Sequence, residues 1–169
     1  MGNKLPIKAV PAQRPLEWLA VIFATGFGSG YSPIIPGTAG TIIAIPIYLL
    51  LVWLLRLQLF SYIAVVVLIT ALGCLAAHRA GRHFGRVDAS PIVIDEIAGF
   101  LVGMIAIAPS WLAILIGFLL FRLFDILKPW PANYFDRKVA NGFGVVMDDI
   151  AAGCYTLIIL QALKYLQLF

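Results

Sequence analysis

From Leu57 to Ala77 the chain is apolar and uncharged over about twenty residues, the length a helix needs to cross a bilayer. This run constrains the fold more than any other feature. In hydrocarbon the backbone must satisfy its own N–H and C=O groups, and a single helix does so. Composition agrees: of 169 residues, 62% are hydrophobic and 12% charged, against about 45–50% and about 25% in a soluble domain. The sequence therefore predicts an all-α integral membrane protein with about five transmembrane helices plus an N-terminal amphipathic or re-entrant segment. Residues 1–15 read as a polar basic leader, and 16–169 as a single membrane domain. The leader lacks the short apolar run and small-residue cleavage site of a secretory signal.

Trp18 to Leu55 carries no charge, but Gly26, Gly28, Gly30, Pro33, Pro36, Gly37 and Gly40 break it. Leu16–Thr25 reads as the amphipathic or re-entrant segment, followed by a loop to Gly37 and a first span from Thr38 to Leu55. Leu57–Ala77 is the second span. His78–Pro91 reads as a polar loop holding His78 and His83 in solvent. Ile92–Ile107 and Trp111–Leu127 form a helical hairpin about Ala108-Pro109-Ser110. Pro129–Gly144 is polar and interfacial, and Val145–Leu166 is the last span. Cys74 and Cys154 lie in apolar runs and read as packing residues, not as a disulfide or zinc framework.

The net charge of +4 raises the question of nucleic acid. The basic residues flank apolar segments, so an anionic lipid surface is the better partner, with no nucleic acid. With five spans, Lys4, Lys8 and Arg14, then Arg79, Arg82 and Arg86, then Lys128, Arg137 and Lys138 all fall on one side. The positive-inside rule makes that side cytoplasmic. Asp95, Glu96, Asp125, Asp148, Asp149 and the Gly-rich loop fall on the same side.

Those five are most of the chain's eight acids. A carboxylate at the edge of hydrocarbon is costly and marks a functional site by default. Asp95 and Glu96 diverge by about 100° on a helix, which puts one toward a metal and the other toward a neighbour. Gly99 and Gly103 follow as a close-packing face. Arg122, Asp125 and Lys128 share one helical face, either pairing internally or presenting an acid between two cations for phosphate. Asp148 and Asp149 open the last span, where they either complement the helix dipole or complete a metal site with Asp95 or Glu96. An all-oxygen donor set suits Mg²⁺. Thr25-Gly-Phe-Gly-Ser-Gly30 and Pro36-Gly-Thr38-Ala-Gly-Thr41 read either as a phosphate cradle using Thr25, Gly26, Gly28, Ser29, Gly30, Thr38 and Thr41, or as a helix-breaking hinge packed through small residues.

These motifs, with Ile94-Asp-Glu, Phe121-Arg-Leu-Phe-Asp-Ile-Leu-Lys-Pro-Trp-Pro131, Asp136-Arg and Gly142 through Met147-Asp-Asp-Ile-Ala-Ala-Gly153, resemble the bacterial phosphatidylglycerophosphatase A family from about Trp18 to Leu160. The resemblance implies a Mg²⁺-dependent inner-membrane enzyme that takes the terminal phosphate from phosphatidylglycerophosphate, in phospholipid biosynthesis. It implies Asp95, Glu96, Asp148 and Asp149 as the metal-and-base group, with Asp125 close by and Arg122, Lys128 and the loop on phosphate. A membrane phosphatidyltransferase is the main alternative, but the spacing from Asp136-Arg137 to Asp149 does not match its aspartate array. An ion-coupled carrier would place polar residues near the bilayer midplane, where these spans are apolar.

Overall fold

The structure is a computed structural model that describes residues 6–168. The described residues form helices α1 (Pro15–Ala24), α2 (Pro36–Leu49), α3 (Leu59–Phe84), α4 (Ile94–Gly103), α5 (Trp111–Leu127), α6 (Ala132–Lys138) and α7 (Gly142–Tyr165). An isolated antiparallel bridge joins Pro6 to Arg86. Beyond Leu49, α2 widens into a π-helical turn through Leu54, where the Leu55 N–H donates to the Leu50 carbonyl at 2.9 Å. Three helical stretches are long and apolar enough to cross a membrane: Pro36–Leu54, Leu59–Phe84 and Gly142–Tyr165.

The α7 helix is the axis of the bundle, packed against α3, α4, α5 and α6. Its closest neighbour is α4, and small residues make that approach possible. A Cβ on Gly99 would lie 2.5 Å from the Asp149 carbonyl oxygen, and one on Gly103 would lie 2.9 Å from Thr156 Cγ2. The Gly99/Gly103 face therefore meets α7, as its spacing suggests.

Several boundaries differ from those read in the sequence. No polar loop begins at His78: α3 continues to Phe84 and ends at Gly85, whose φ of 71° only a glycine adopts readily. Polarity does not end a helix, and Ala80 and Gly81 remain buried against the turn that follows. His83 is accordingly on a helix and half-buried. Its Nδ1 accepts the Ala12 N–H at 2.9 Å, and its ring meets the edge of Trp18. Leader residues lie along this helix end, with Ile7 N–H on Gly85 O and Val10 N–H on Arg82 O.

The expected span Ile92–Ile107 is a ten-residue helix, α4, continued by irregular chain. Ten residues rise only about 15 Å, half of the about 30 Å of hydrocarbon. The carbonyls released there are taken by side chains. Tyr62 donates to Leu101 O at 2.8 Å and Tyr48 to Ile107 O at 2.7 Å. Gln161 donates to Ile105 O and Lys164 to Ala106 O, both at 2.8 Å. Buried irregular backbone is tolerated only when protein groups satisfy it in this way. The partner helix α5 has the expected bounds, with Ser110 capping it through the Ala113 N–H at 3.1 Å. The interfacial stretch 129–144 folds its centre as α6. The α7 helix starts at Gly142, before Val145, because the Asn141 side chain caps the Phe143 and Gly144 N–H groups at 3.0 and 3.1 Å. The segment Leu16–Thr25 is helix α1, ten residues long and packed on α3. Both cysteines are free.

One end of the bundle collects the starts of α2, α4 and α7 and the ends of α3 and α5. Gly37 of α2 abuts Glu96 of α4 and Arg122 of α5, and Gly142 of α7 abuts Cys74 and His78 of α3.

Candidate active site

Three carboxylates converge at this end. Asp95 and Glu96 stand in the first turn of α4 and Asp149 lies two turns inside α7. One oxygen from each falls within 4.8 Å of the others. The glycine contact between the helices brings them together, since Gly99 packs on the backbone of Asp149 itself. Both adjacent acids join the cluster, and Glu96 also faces Gly37 beside Arg122. The start of α4 is enclosed by α7 on one side and by α2 and α5 on another, so two side-chain directions lead into one cavity. Asp148 and Asp149 do not cap the α7 dipole either, because the helix begins six residues before Asp148.

Asp95 and Asp149 are buried, at 7% and 3% exposure. Asp95 Oδ1 and Glu96 Oε2 are buried with no hydrogen-bond partner. Burying a charge without a partner is expensive. Three converging carboxylates with two orphaned oxygens therefore fit a bound cation, and an all-oxygen donor set fits Mg²⁺ among common ions.

Asp148 is placed differently. Its Oδ2 accepts from Lys128 Nζ, and its Oδ1 accepts the Asp149 N–H at 3.0 Å. Lys128 also donates to Asp136 Oδ1 at 2.8 Å. Burial works against the Lys128 charge, but Asp148 and Asp136 outweigh it and hold its pKa above the ordinary lysine value. Arg122 Nη1 lies 2.5 Å from Asp125 Oδ2 without forming an aligned hydrogen bond. A cavity of about 100 Å³ joins these groups, lined by Asp88, Asp95, Glu96, Asp125, Lys128, Asp136, Asp148 and Asp149.

The Gly-rich loop is organised for packing. Gly26, Phe27 and Gly28 all have positive φ, turning the chain out of α1. A Cβ on Gly30 would lie 2.0 Å from Pro91 O, and one on Gly26 would lie 2.9 Å from Val93 Cγ2. Thr25 Oγ1 donates to Ile22 O, Ser29 Oγ to Thr25 O and Thr41 Oγ1 to Gly37 O. The hydroxyls of Thr25, Ser29 and Thr41 are thus committed to the local backbone, and none of the loop residues Thr25 to Gly30 lines the carboxylate cavity. The hinge reading accounts for that segment. The start of α2 does reach the site: a Cβ on Gly37 would lie 2.3 Å from Glu96 Oε1 and 3.1 Å from Arg122 Nη1. Thr38 follows in the same first turn.

Gly37, Asp88 and Asp136 carry no role in the sequence reading. Asp136 stands in the Asp136-Arg137 pair of the stretch 129–144, read as polar and interfacial, and the structure buries it against Lys128. Gly37 was visible as a helix breaker, and only the fold shows what it stands against.

Residues 22–164 match the family model described as Phosphatidylglycerophosphatase A. A Phosphatidylglycerophosphatase A of Haemophilus influenzae is 38% identical over 166 residues, covering 98% of each chain. One of Escherichia coli is 41% identical over 133 residues, covering 78% of this chain and 76% of its own. A Bacteroides thetaiotaomicron protein provisionally named a phosphatidylinositol-3-phosphatase is 38% identical over 161 residues, covering 90% of this chain and 98% of its own. No solved structure matches the chain.

Proposed function

The chain belongs to the phosphatidylglycerophosphatase A family of phosphatases, and on that premise we propose that it converts phosphatidylglycerophosphate to phosphatidylglycerol and inorganic phosphate with Mg²⁺. We place the reaction at the cytoplasmic face of a bacterial inner membrane. Five crossings, counting α4 with residues 104–107 as one and α5 as another, put the basic ends of α3 and α5 and the carboxylate cavity on that side. The observation that carries the reading is the convergence of Asp95, Glu96 and Asp149, with two orphaned oxygens, in a cavity shared with Lys128 and Asp125, the latter paired with Arg122.

Asp95, Glu96 and Asp149 would hold the metal, with Asp148 bracing the site through Lys128. When bound, Mg²⁺ supplies charge neutralisation to the phosphoryl oxygens. The chain's own groups do the remainder. Lys128 and Arg122 attract the phosphate dianion and stabilise the charge that develops on its oxygens. The first-turn N–H groups of α2, at Gly37 and Thr38, have no intrahelical acceptor, and Gly37 stands against Glu96 and Arg122. Asp125 lies outside both the carboxylate trio and the Lys128 network, which suits it to take the proton of the attacking water. The water oxygen would bond to phosphorus, the P–O bond to glycerol would break, and the leaving alkoxide would take the proton that Asp125 removed from the water.

The test is phosphate release by the purified protein in detergent, with Mg²⁺ and with EDTA. Release that needs the metal supports the reading; folded protein that releases none under either condition overturns it. The Bacteroides relative's name suggests a second headgroup. Phosphatidylinositol 3-phosphate belongs in the same assay, and faster turnover of it than of phosphatidylglycerophosphate would reassign the substrate.

A further inference from the structure

A second cavity of about 340 Å³ runs between α6 and the outward face of α7, lined by Phe135, Met147, Ala151, Cys154, Tyr155 and Ile158 among others. The α7 residues recur at helical spacing and form a stripe about 16 Å long. The surface is apolar throughout. Its one hydroxyl, on Tyr155, is already donated to Trp130 O at 2.6 Å, and the Tyr155 ring is stacked on Phe124. Phe135 also lines the carboxylate cavity, so one ring separates the apolar groove from the polar site. Asp136, the next residue, holds Lys128.

We propose that this groove binds an acyl chain of the lipid phosphomonoester, with Phe135 as the partition between chain and headgroup. The inference rests on the phosphatase reading above. Continuity with the polar cavity argues for this occupant over bulk lipid. An amphiphile whose phosphate sits by Lys128 must send its apolar end somewhere, and the groove opens directly behind the ring. The other large apolar groove, between α1 and α3 at Leu19, Phe23, Leu72 and Leu75, shares no residue with the carboxylate cavity. It offers the substrate no such continuity and supplies a control.

Two measurements test the groove. The first compares kcat/KM for diacyl phosphatidylglycerophosphate with kcat/KM for its water-soluble deacylated headgroup. Cys154→Trp and Ile158→Trp fill the groove and should lower the diacyl-to-deacylated ratio about tenfold, while Leu75→Trp should leave the ratio where it was. A ratio unmoved by both groove variants overturns the proposal. The second needs no bulky substitution. In a Cys74→Ser background, Cys154 is the only cysteine. Maleimide alkylation of Cys154 in detergent should slow at least fivefold with the diacyl substrate, but not with the deacylated headgroup or with an equal mole fraction of phosphatidylcholine. Equal rates in all conditions, or equal protection by phosphatidylcholine, overturn the groove as a substrate site. Wild-type protein that hydrolyses neither compound removes the phosphatase reading and the groove with it. Hydrolysis of both with an unmoved ratio removes the groove alone.

Discussion

Gly153 of α7 sits so close to Gly99 of α4 that a Cβ on Gly153 would lie 2.2 Å from the Gly99 carbonyl oxygen. Asp149 is one turn before Gly153, and Asp95 and Glu96 are one turn before Gly99. The tightest helix contact in the site and the carboxylate cluster are therefore the same piece of geometry.

Gly153→Ala should force α4 from α7, because the obstructing atom is backbone and cannot rotate away. Overpacking of this kind costs about 1–3 kcal/mol. The expected outcome is a lower melting temperature in detergent and a higher Mg²⁺ concentration for half-maximal activity. Gly73→Ala is the comparison: its new methyl would meet Ile94 Cγ1 at 3.2 Å, a side chain able to shift. Equal effects of the two would separate the site from the helix contact.

Asp149→Asn and Glu96→Gln should each reduce Mg²⁺-dependent phosphate release by about a hundredfold or more, since even groups that only brace a metal ligand are worth about 10–100-fold. Each also replaces one of three crowded carboxyl groups with a neutral amide of the same shape. The metal-free variants should melt no lower than the metal-free wild type, and the rise in melting temperature on adding Mg²⁺ should shrink or vanish. A full Mg²⁺-induced rise in Asp149→Asn would take that residue out of the metal site.

Lys128 bridges Asp136 and Asp148, whose side chains are 5% and 7% exposed. Lys128→Met strands two buried carboxylates, and breaking a buried pair costs about 3–5 kcal/mol. Asp148→Asn should cost less, because Lys128 keeps Asp136. A double-mutant cycle should show clear coupling, whereas independent sites would add. The folded Lys128 pKa lies above the ordinary value of about 10.4. Its contribution is thus complete below that pH and is lost only as pH rises through the higher folded value. Stability between about pH 6 and pH 9 should not change on its account.

Gly37→Ala and Gly28→Ala should fail differently. The first puts a methyl 2.3 Å from Glu96 Oε1 and should lower activity with little loss of stability. The second meets open space, but its φ of 95° disfavours any side chain. It should cost about 1 kcal/mol of stability and leave the activity of the folded fraction intact. Matched losses of activity would return the loop to the phosphate site.

Single cysteines replacing Arg82 and Asn141, both exposed at the site end of the bundle, should react with an impermeant maleimide only after the cytoplasmic side is opened. Labelling from the periplasm in intact cells would reverse the orientation.

Local rules were enough for much of this. A charge-free run such as Leu57–Ala77 has one economical backbone solution in hydrocarbon, so the helical class followed directly. The boundaries were less legible: the sequence reading starts the last span at Val145 and a loop at His78, whereas Asn141 caps α7 at Gly142 and α3 runs through the polar stretch to Gly85. The acids stood out because carboxylates are rare and costly beside apolar runs. Sequence alone could not say which of them share a site. Asp148 and Asp149 are neighbours in the chain, yet one binds Lys128 and the other joins Asp95 and Glu96, because a step of one residue turns a helix by about 100° and sends the side chains to different helices. The same limit applies to glycine. Gly26, Gly30 and Gly37 look alike as letters, but two pack against the chain around Pro91 and Val93 and one stands against Glu96. What a missing side chain makes room for is set by the element across from it, and only tertiary structure places that element.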